Sequence, residues 1–172
     1  TRNAASHPDR TNRLLWRREP RRLDAEAIRD NLFSVSGQLS QDMFGPGTLA
    51  QNVPRRSIYL RVKRSQLIPV LQLFDGPDSL QTIGRRSTTT TAPQALMMLN
   101  NAFVGQSADQ LSRRLLRSGS NSLAEFSEQG FLLTVGRVPS AEERQLAAAL
   151  LAPGTPEARR DFCHMLLCLN EF

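Results

Sequence analysis

The chain predicts an all-α fold, a compact helical bundle with an extended N-terminal arm and an irregular middle segment, and three features carry that prediction. A hydroxyl residue followed three positions later by Gln or Glu opens apolar runs at Thr91, Ser122 and Ser140. In this pattern, side chain and backbone satisfy each other's exposed groups at a helix start. Ile28, Leu32, Val35 and Leu39 recur at intervals of four, three and four, which draws one apolar stripe along a helix. Only the run Ile58, Leu60 and Val62 alternates as a half-buried strand would, and a lone strand leaves its backbone donors and acceptors unmet.

Taken in order, residues 1–19 form the polar, Arg-rich arm and residues 20–172 the helical domain. The first helix occupies 20–40. Arg22, Glu26, Arg29 and Asp30 lie mostly away from its stripe, with Arg22 and Glu26 spaced to pair. Residues 41–91 are loop-rich, because Gly45-Pro46-Gly47 breaks the pattern and little periodic apolar content follows. From Ser57 to Arg64 the alternation permits a strand, but Ser57 can cap a short helix, and helix is the preferred reading. Pro69 suits the first turn of a short helix through Phe74, and Asp75-Gly76-Pro77 closes it as a turn.

The bundle fills residues 92–172, with helices expected at 92–100, 102–117, 123–135, 141–151 and 156–170. Thr155-Pro156 begins the last, with Pro in its favoured first position. The core expected from these helices is Leu96, Leu99, Phe103, Leu111, Leu115, Phe126, Leu133, Leu146, Leu150, Phe162, Leu166 and Leu169. Short links such as SGSNS and APGT favour antiparallel neighbours.

Composition excludes several classes. With 172 residues, 40% apolar and 22% charged, the chain is long enough to bury a core and too apolar to be disordered throughout. No run approaches a membrane span, and Thr1 to Arg22 has no apolar signal segment. The absent initiator Met and the abrupt end at Asn170-Glu171-Phe172 lead us to expect a piece of a longer protein. The formal charge is +6, and Lys63 is the only lysine among 22 bases. Residues 1–30 carry eight Arg against five acids and residues 55–86 seven bases against two, so the excess lies in the first half. Arg clusters of this kind bind carboxylates, phosphates or sulfates in paired hydrogen bonds, or serve intramolecular pairing and solubility. Specific nucleic-acid recognition is not expected, since a basic pI is unaccompanied by finger spacing, an aromatic-rich strand or a recognition-helix signature.

Cys163 and Cys168 are five apart, about 140° around a helix, so they face different directions and read as two buried thiols. Neither CHMLLC nor any other stretch matches a haem-attachment motif, and no cofactor is expected. His7 and His164 lack a nucleophile motif, and the adjacent Glu142 and Glu143 aim apart.

The strings NRLLWRREPRRLDAEAIRDNLFSVSGQL, RRSIYLRVKR, FDGPD, RRSTTTTAPQALMMLN and CHMLLCLNEF occur in an order that resembles a planctomycete domain-of-unknown-function family, one placed at the C-terminal end of large secreted proteins. GRVPSAEE fits that family's late-helix phrase. The resemblance runs from Asn12 onward and implies a C-terminal module of an exported protein, periplasmic or at the cell surface. It also implies upstream domains, often cytochrome c-like or carbohydrate-binding-like, as its company. It brings no catalytic residues with it, and any haem belongs elsewhere in such a protein.

One candidate site remains in the middle. Arg85 and Arg86 stand beside Thr90 and Thr91 at the start of a helix, whose free N–H groups and dipole favour anions. A sulfate, phosphate or acidic sugar suits that set. Asp75 and Asp78 in the Gly-Pro turn offer hard oxygens to calcium, though two carboxylates are few. The plainer alternative is that these Asp residues pair with the Arg residues and pin a long connection to the bundle while Thr91 caps. Two functions follow as expectations. One is a non-catalytic interaction and scaffolding module that docks a neighbouring domain or an anionic surface polymer through its Arg-rich half. The other is part of a carbohydrate- or anion-active enzyme whose cleft is shared with an upstream domain.

Overall fold

Leu111 and Leu115 on one helix and Phe162 and Leu166 on another are wholly inaccessible, and this contact is the centre of the molecule. The computed structural model describes residues 8–9, 11–18, 21–63, 65, 67–77, 84–119 and 122–172. Among these residues seven α-helices pack together: α1 (Ala25–Val35), α2 (Pro69–Leu73), α3 (Ala92–Asn100), α4 (Ala102–Arg117), α5 (Leu123–Val135), α6 (Ala141–Leu151) and α7 (Pro156–Leu167). The described residues contain no strand, so the all-α expectation holds. The most extensive interface is that between α4 and α7; α5 and α6 lean on α7, and α1 packs on α4 and α2.

The helix starts follow the local chemistry of the sequence. Ser122 Oγ accepts from Glu125 N–H at 3.1 Å while Glu125 Oε2 accepts from Ser122 N–H at 3.3 Å. At Ser140 the same exchange with Glu143 spans 3.2 and 2.7 Å. Thr91 N–H donates to Gln94 Oε1 at 3.1 Å, and Thr155 Oγ1 accepts from Ala158 N–H at 3.2 Å. Asn101 separates α3 from α4 by turning extended and accepting the Phe103 N–H on its side chain at 2.8 Å. Gly130 lets α5 sit close on α7, since a Cβ there would meet Leu166 Cδ1 at 3.0 Å and Phe162 Cε1 at 3.1 Å.

Two helices are shorter than their apolar periodicity suggests. α1 covers Ala25–Val35 rather than 20–40: Asp24 is extended ahead of it, and behind it Gly37 turns left-handed at φ 75°. That turn lets Gln38 N–H reach back to the Phe33 carbonyl at 2.8 Å, a Schellman-like close. Arg114 on α4 completes the end of α1 by donating Nη1 to the Ser34 and Val35 carbonyls, each at 2.8 Å, a cation where the dipole favours one. α7 stops at Leu167, with Cys168 as its cap, rather than at 170.

The ambiguous segment after Arg56 resolves into both of its alternatives. Ser57–Tyr59 make a single 3₁₀ turn, then Leu60 bridges Thr48 in parallel. Thr48 N–H donates to the Tyr59 carbonyl at 2.9 Å and Arg61 N–H to the Thr48 carbonyl at 2.8 Å, so the partner of this stretch lies in the preceding loop.

The core is correct at its centre and shifted at its edges. Leu111, Leu115, Phe126, Phe162 and Leu166 are buried, but Leu96, Leu99, Leu133 and Leu146 are exposed. On α6 the inward face carries Ala147 and Leu151, one position on from the expected leucines. On α5 it carries Phe126, Gly130, Phe131 and Thr134. α3 lies at the rim, and Gln94 is its one buried residue.

Candidate functional site

Asp75 occupies the left-handed position that ends α2, at φ 59°, a place where Gly is usual and Asp is tolerated. Gly76 is required next to it: its N–H donates to the Leu71 carbonyl at 2.6 Å, and a Cβ there would collide with that carbonyl. The turn aims the Asp75 carboxylate at Thr89, whose N–H and Oγ1 donate to it at 2.8 and 2.9 Å, and at the Arg22 guanidinium. Arg22 donates as well to the Thr89 and Phe74 carbonyls. The Thr89 N–H, aided by Arg22, holds the Asp75 carboxyl below the usual carboxylate range.

Arg86 is occupied in the same manner. Its fork meets Glu26 on α1, with Nη1 and Nη2 donating at 2.7 and 2.9 Å, and Asp24 lies 3.8 Å away. The fork depresses the Glu26 pKa, and Glu26 in turn raises that of Arg86. The pairings anticipated between neighbours in sequence, Arg22 with Glu26 and Asp75 with Arg86, are thus exchanged for Arg22 with Asp75 and Arg86 with Glu26. Arg85 and Thr90 are exposed and make no hydrogen bond or ion pair among the described residues. Thr91 serves the helix cap. Asp78 lies outside the described residues.

The group that the sequence reading missed is Arg29, expected to face outward and in fact 1% exposed. Its guanidinium donates to the carbonyls of Gln51, Val53 and Arg55 at 2.7–2.9 Å, to Ser57 Oγ at 3.1 Å and to Asp30 at 3.2 Å. It also lies over the Phe33 ring at 4.8 Å. Burial lowers its pKa, with Asp30 opposing. Asp30 takes the Ser57 N–H and hydroxyl, at 2.8 and 2.6 Å. Together they fasten residues 51–57 onto α1. The missed signal is the spacing of Ala25, Arg29, Leu32 and Phe33, which puts Arg29 inside the buried face.

Elsewhere the titratable groups serve structure. Glu143 receives both arms of Arg137 at 2.7 Å, which, with the Ser140 N–H, brings its pKa down to about 2. Arg137 also holds Glu171 at 2.7 Å. Cys163 is buried and Cys168 half-buried, both free, and burial pushes the Cys163 thiol up to about 12. Among the described residues no three His, Cys, Asp or Glu gather as a metal site, and no helix is long and apolar enough to cross a membrane. Two hollows adjoin the middle segment. An open groove of about 430 Å³ is lined by Leu49, Ala50, Gln51, Asn52, Leu67, Ile68 and Pro69, and a recess of about 60 Å³ includes Glu26, Arg61, Lys63 and Gln72. Neither contains Asp75, Arg85 or Arg86.

A family model described as PSD1, protein of unknown function (DUF1553), matches residues 1–151. No curated protein and no solved structure matches the chain. The family match spans most of its length, and the chain belongs to that family.

Proposed function

We propose that this member of the PSD1 (DUF1553) family is a non-catalytic interaction and scaffolding module of a larger exported protein, working at the periplasmic face or cell surface and docking a neighbouring domain through its Arg-rich front half. One observation carries this reading. Arg13, Arg18, Arg21, Arg56, Arg61 and Lys63 are exposed and make no ion pair among the described residues, while Arg22, Arg29 and Arg86 are consumed internally. The front half therefore spends some guanidinium groups on its own architecture and presents the others outward. Leu14 and Leu15, each 82% exposed, stand among these cations. A surface that mixes unpaired Arg with uncovered apolar side chains suits a protein partner better than water.

The alternative, a carbohydrate- or anion-active cleft built on Asp75, Asp78, Arg85 and Arg86, has less support. Asp75 and Arg86 spend their hydrogen bonds on Arg22, Thr89 and Glu26. The test is reconstitution in trans of this chain with the remainder of the proposed longer polypeptide. Binding that falls about tenfold with Arg18→Glu/Arg21→Glu, and not with Arg113→Glu on α4, supports the module. No binding, or equal loss from both variants, removes it. Titration of the same variants with heparin examines the anionic-polymer form of the reading, with Arg85→Ala and Arg86→Ala as its specific probes.

A further inference from the structure

The loop that follows α1 displays a side chain against two preferences at once. Phe44 is 79% exposed and sits at φ 66°, a left-handed conformation in which a bulky residue is rare. The pose is nevertheless held from both sides. Tyr59 Oη accepts the Phe44 N–H at 2.8 Å, and Arg55 donates to the Phe44 carbonyl at 2.5 Å and to the Pro46 carbonyl at 3.1 Å. Arg55 in turn lies 3.9 Å over the Tyr59 ring. Strain kept in place by such a frame points to a use for the displayed group.

Phe44 is not alone. Met43, Ile58 and Val62 are 67%, 77% and 70% exposed in the same two stretches of chain, which the Thr48 and Tyr59–Arg61 backbone bonds tie into one lobe. Between residues 40 and 63 stand Arg55, Arg56, Arg61 and Lys63 against a single carboxylate, Asp42, which accepts from Ser40 Oγ. The adjacent Asp30 turns inward to Ser57 and Arg29. Exposed apolar side chains carried in one lobe with unpaired cations match the chemistry of an anionic bilayer surface, apolar beneath negative. A fluid acceptor accommodates such side chains, whereas a protein would need a matched pocket lined with its own carboxylates.

We propose that this lobe is a membrane-surface anchor, in which Phe44 and Met43 enter the acyl boundary of an anionic bilayer while Arg56, Arg61 and Lys63 lie on headgroup phosphates. It rests on the interaction reading and divides its exposed cations, giving Arg56, Arg61 and Lys63 to a bilayer and leaving Arg13, Arg18 and Arg21 to the neighbouring domain. The test is co-sedimentation of the chain with phosphatidylcholine vesicles, with and without phosphatidylglycerol. Binding appears with phosphatidylglycerol and weakens with salt. Phe44→Asn, which suits the left-handed backbone, lowers the affinity about tenfold, and Arg56→Glu and Arg61→Glu lower it about fivefold each. Phe44→Trp keeps binding, and its emission shifts to the blue on the anionic vesicles. Absence of sedimentation with phosphatidylglycerol, or unchanged binding of Phe44→Asn, overturns the anchor. Heparin binding without vesicle binding also overturns it and leaves the interaction module standing.

Discussion

The back half of the molecule and the front half are joined by different chemistry. α4, α5 and α7 meet through Leu111, Leu115, Phe126, Phe162 and Leu166, side chains with no polar group to satisfy, and Phe162 lies 6.0 Å from Phe126 and 6.3 Å from Phe131, ring to ring. The front half adds Ile28, Leu32 and Val35 of α1 and Phe74 to that core, but its irregular stretches are stitched by guanidinium groups: Arg29 to three carbonyls, Arg22 to Asp75 and Thr89, Arg86 to Glu26, and Arg114 to the end of α1. Apolar packing excludes water and asks for density. Arginine stitching holds irregular backbone whose carbonyls no helix or sheet satisfies. A segment built in the second way can stay irregular, keep its cations at the surface and still hold a fixed shape.

That contrast breaks most visibly in the core. Phe162→Ala, at a fully buried site among Phe126, Phe131 and Leu115, should cost about 4 kcal/mol and lower the denaturant midpoint of the whole chain. Arg29→Met should cost about 3 kcal/mol, because the Gln51, Val53 and Arg55 carbonyls lose their donor; the loss should concentrate in residues 38–61. Gly130→Ala, which places a methyl 3.0 Å from Leu166 Cδ1, should cost about 2 kcal/mol by overpacking and tests the α5–α7 approach by thermal melting.

Acid sharpens the comparison from the other side. The folded-state pKa values of Glu26 and Asp75 are depressed by Arg86 and by Thr89 with Arg22, so their stabilisation is present above the ordinary carboxylate pKa and is lost as pH falls through the depressed values. Glu143, at about 2, follows the same sign. Acid titration followed by hydrogen exchange should therefore loosen the contacts of Asp75 and residues 84–91 with Arg22 and Glu26 before the α4–α7 core opens. The smallest effect belongs to Leu146→Gln, since that leucine is 69% exposed; thermal melting should show a stability change within about 0.5 kcal/mol, the range of an ordinary surface substitution.

The legible parts of the fold were those that local chemistry specifies. The boxes at Ser122 and Ser140, Thr155-Pro156 and Pro69 mark helix starts that the structure keeps to the residue, because caps act over three or four positions. Leu96, Leu99, Leu133 and Leu146 failed as core positions, since which side of an apolar helix faces inward is decided by neighbours that periodicity does not name. The ion pairs failed for a related reason: proximity in sequence favours Arg22 with Glu26, while the turn at Asp75 and the placement of Arg86 and Thr89 beside the start of α1 bring better-placed partners together. Arg29 was hidden by its charge, which marks a residue as external unless a set of carbonyls awaits it. Of the candidate anion site, the helix start at Thr91 was read correctly, and the engagement of Arg86 by α1 was not.

The most direct measurement is residue-resolved hydrogen exchange on wild type and Arg29→Met under native conditions. Protection lost from residues 38–61 and retained in α4 and α7 is the predicted result. Protection lost evenly through the bundle, or unchanged everywhere, would contradict a front half held in shape by its buried guanidinium.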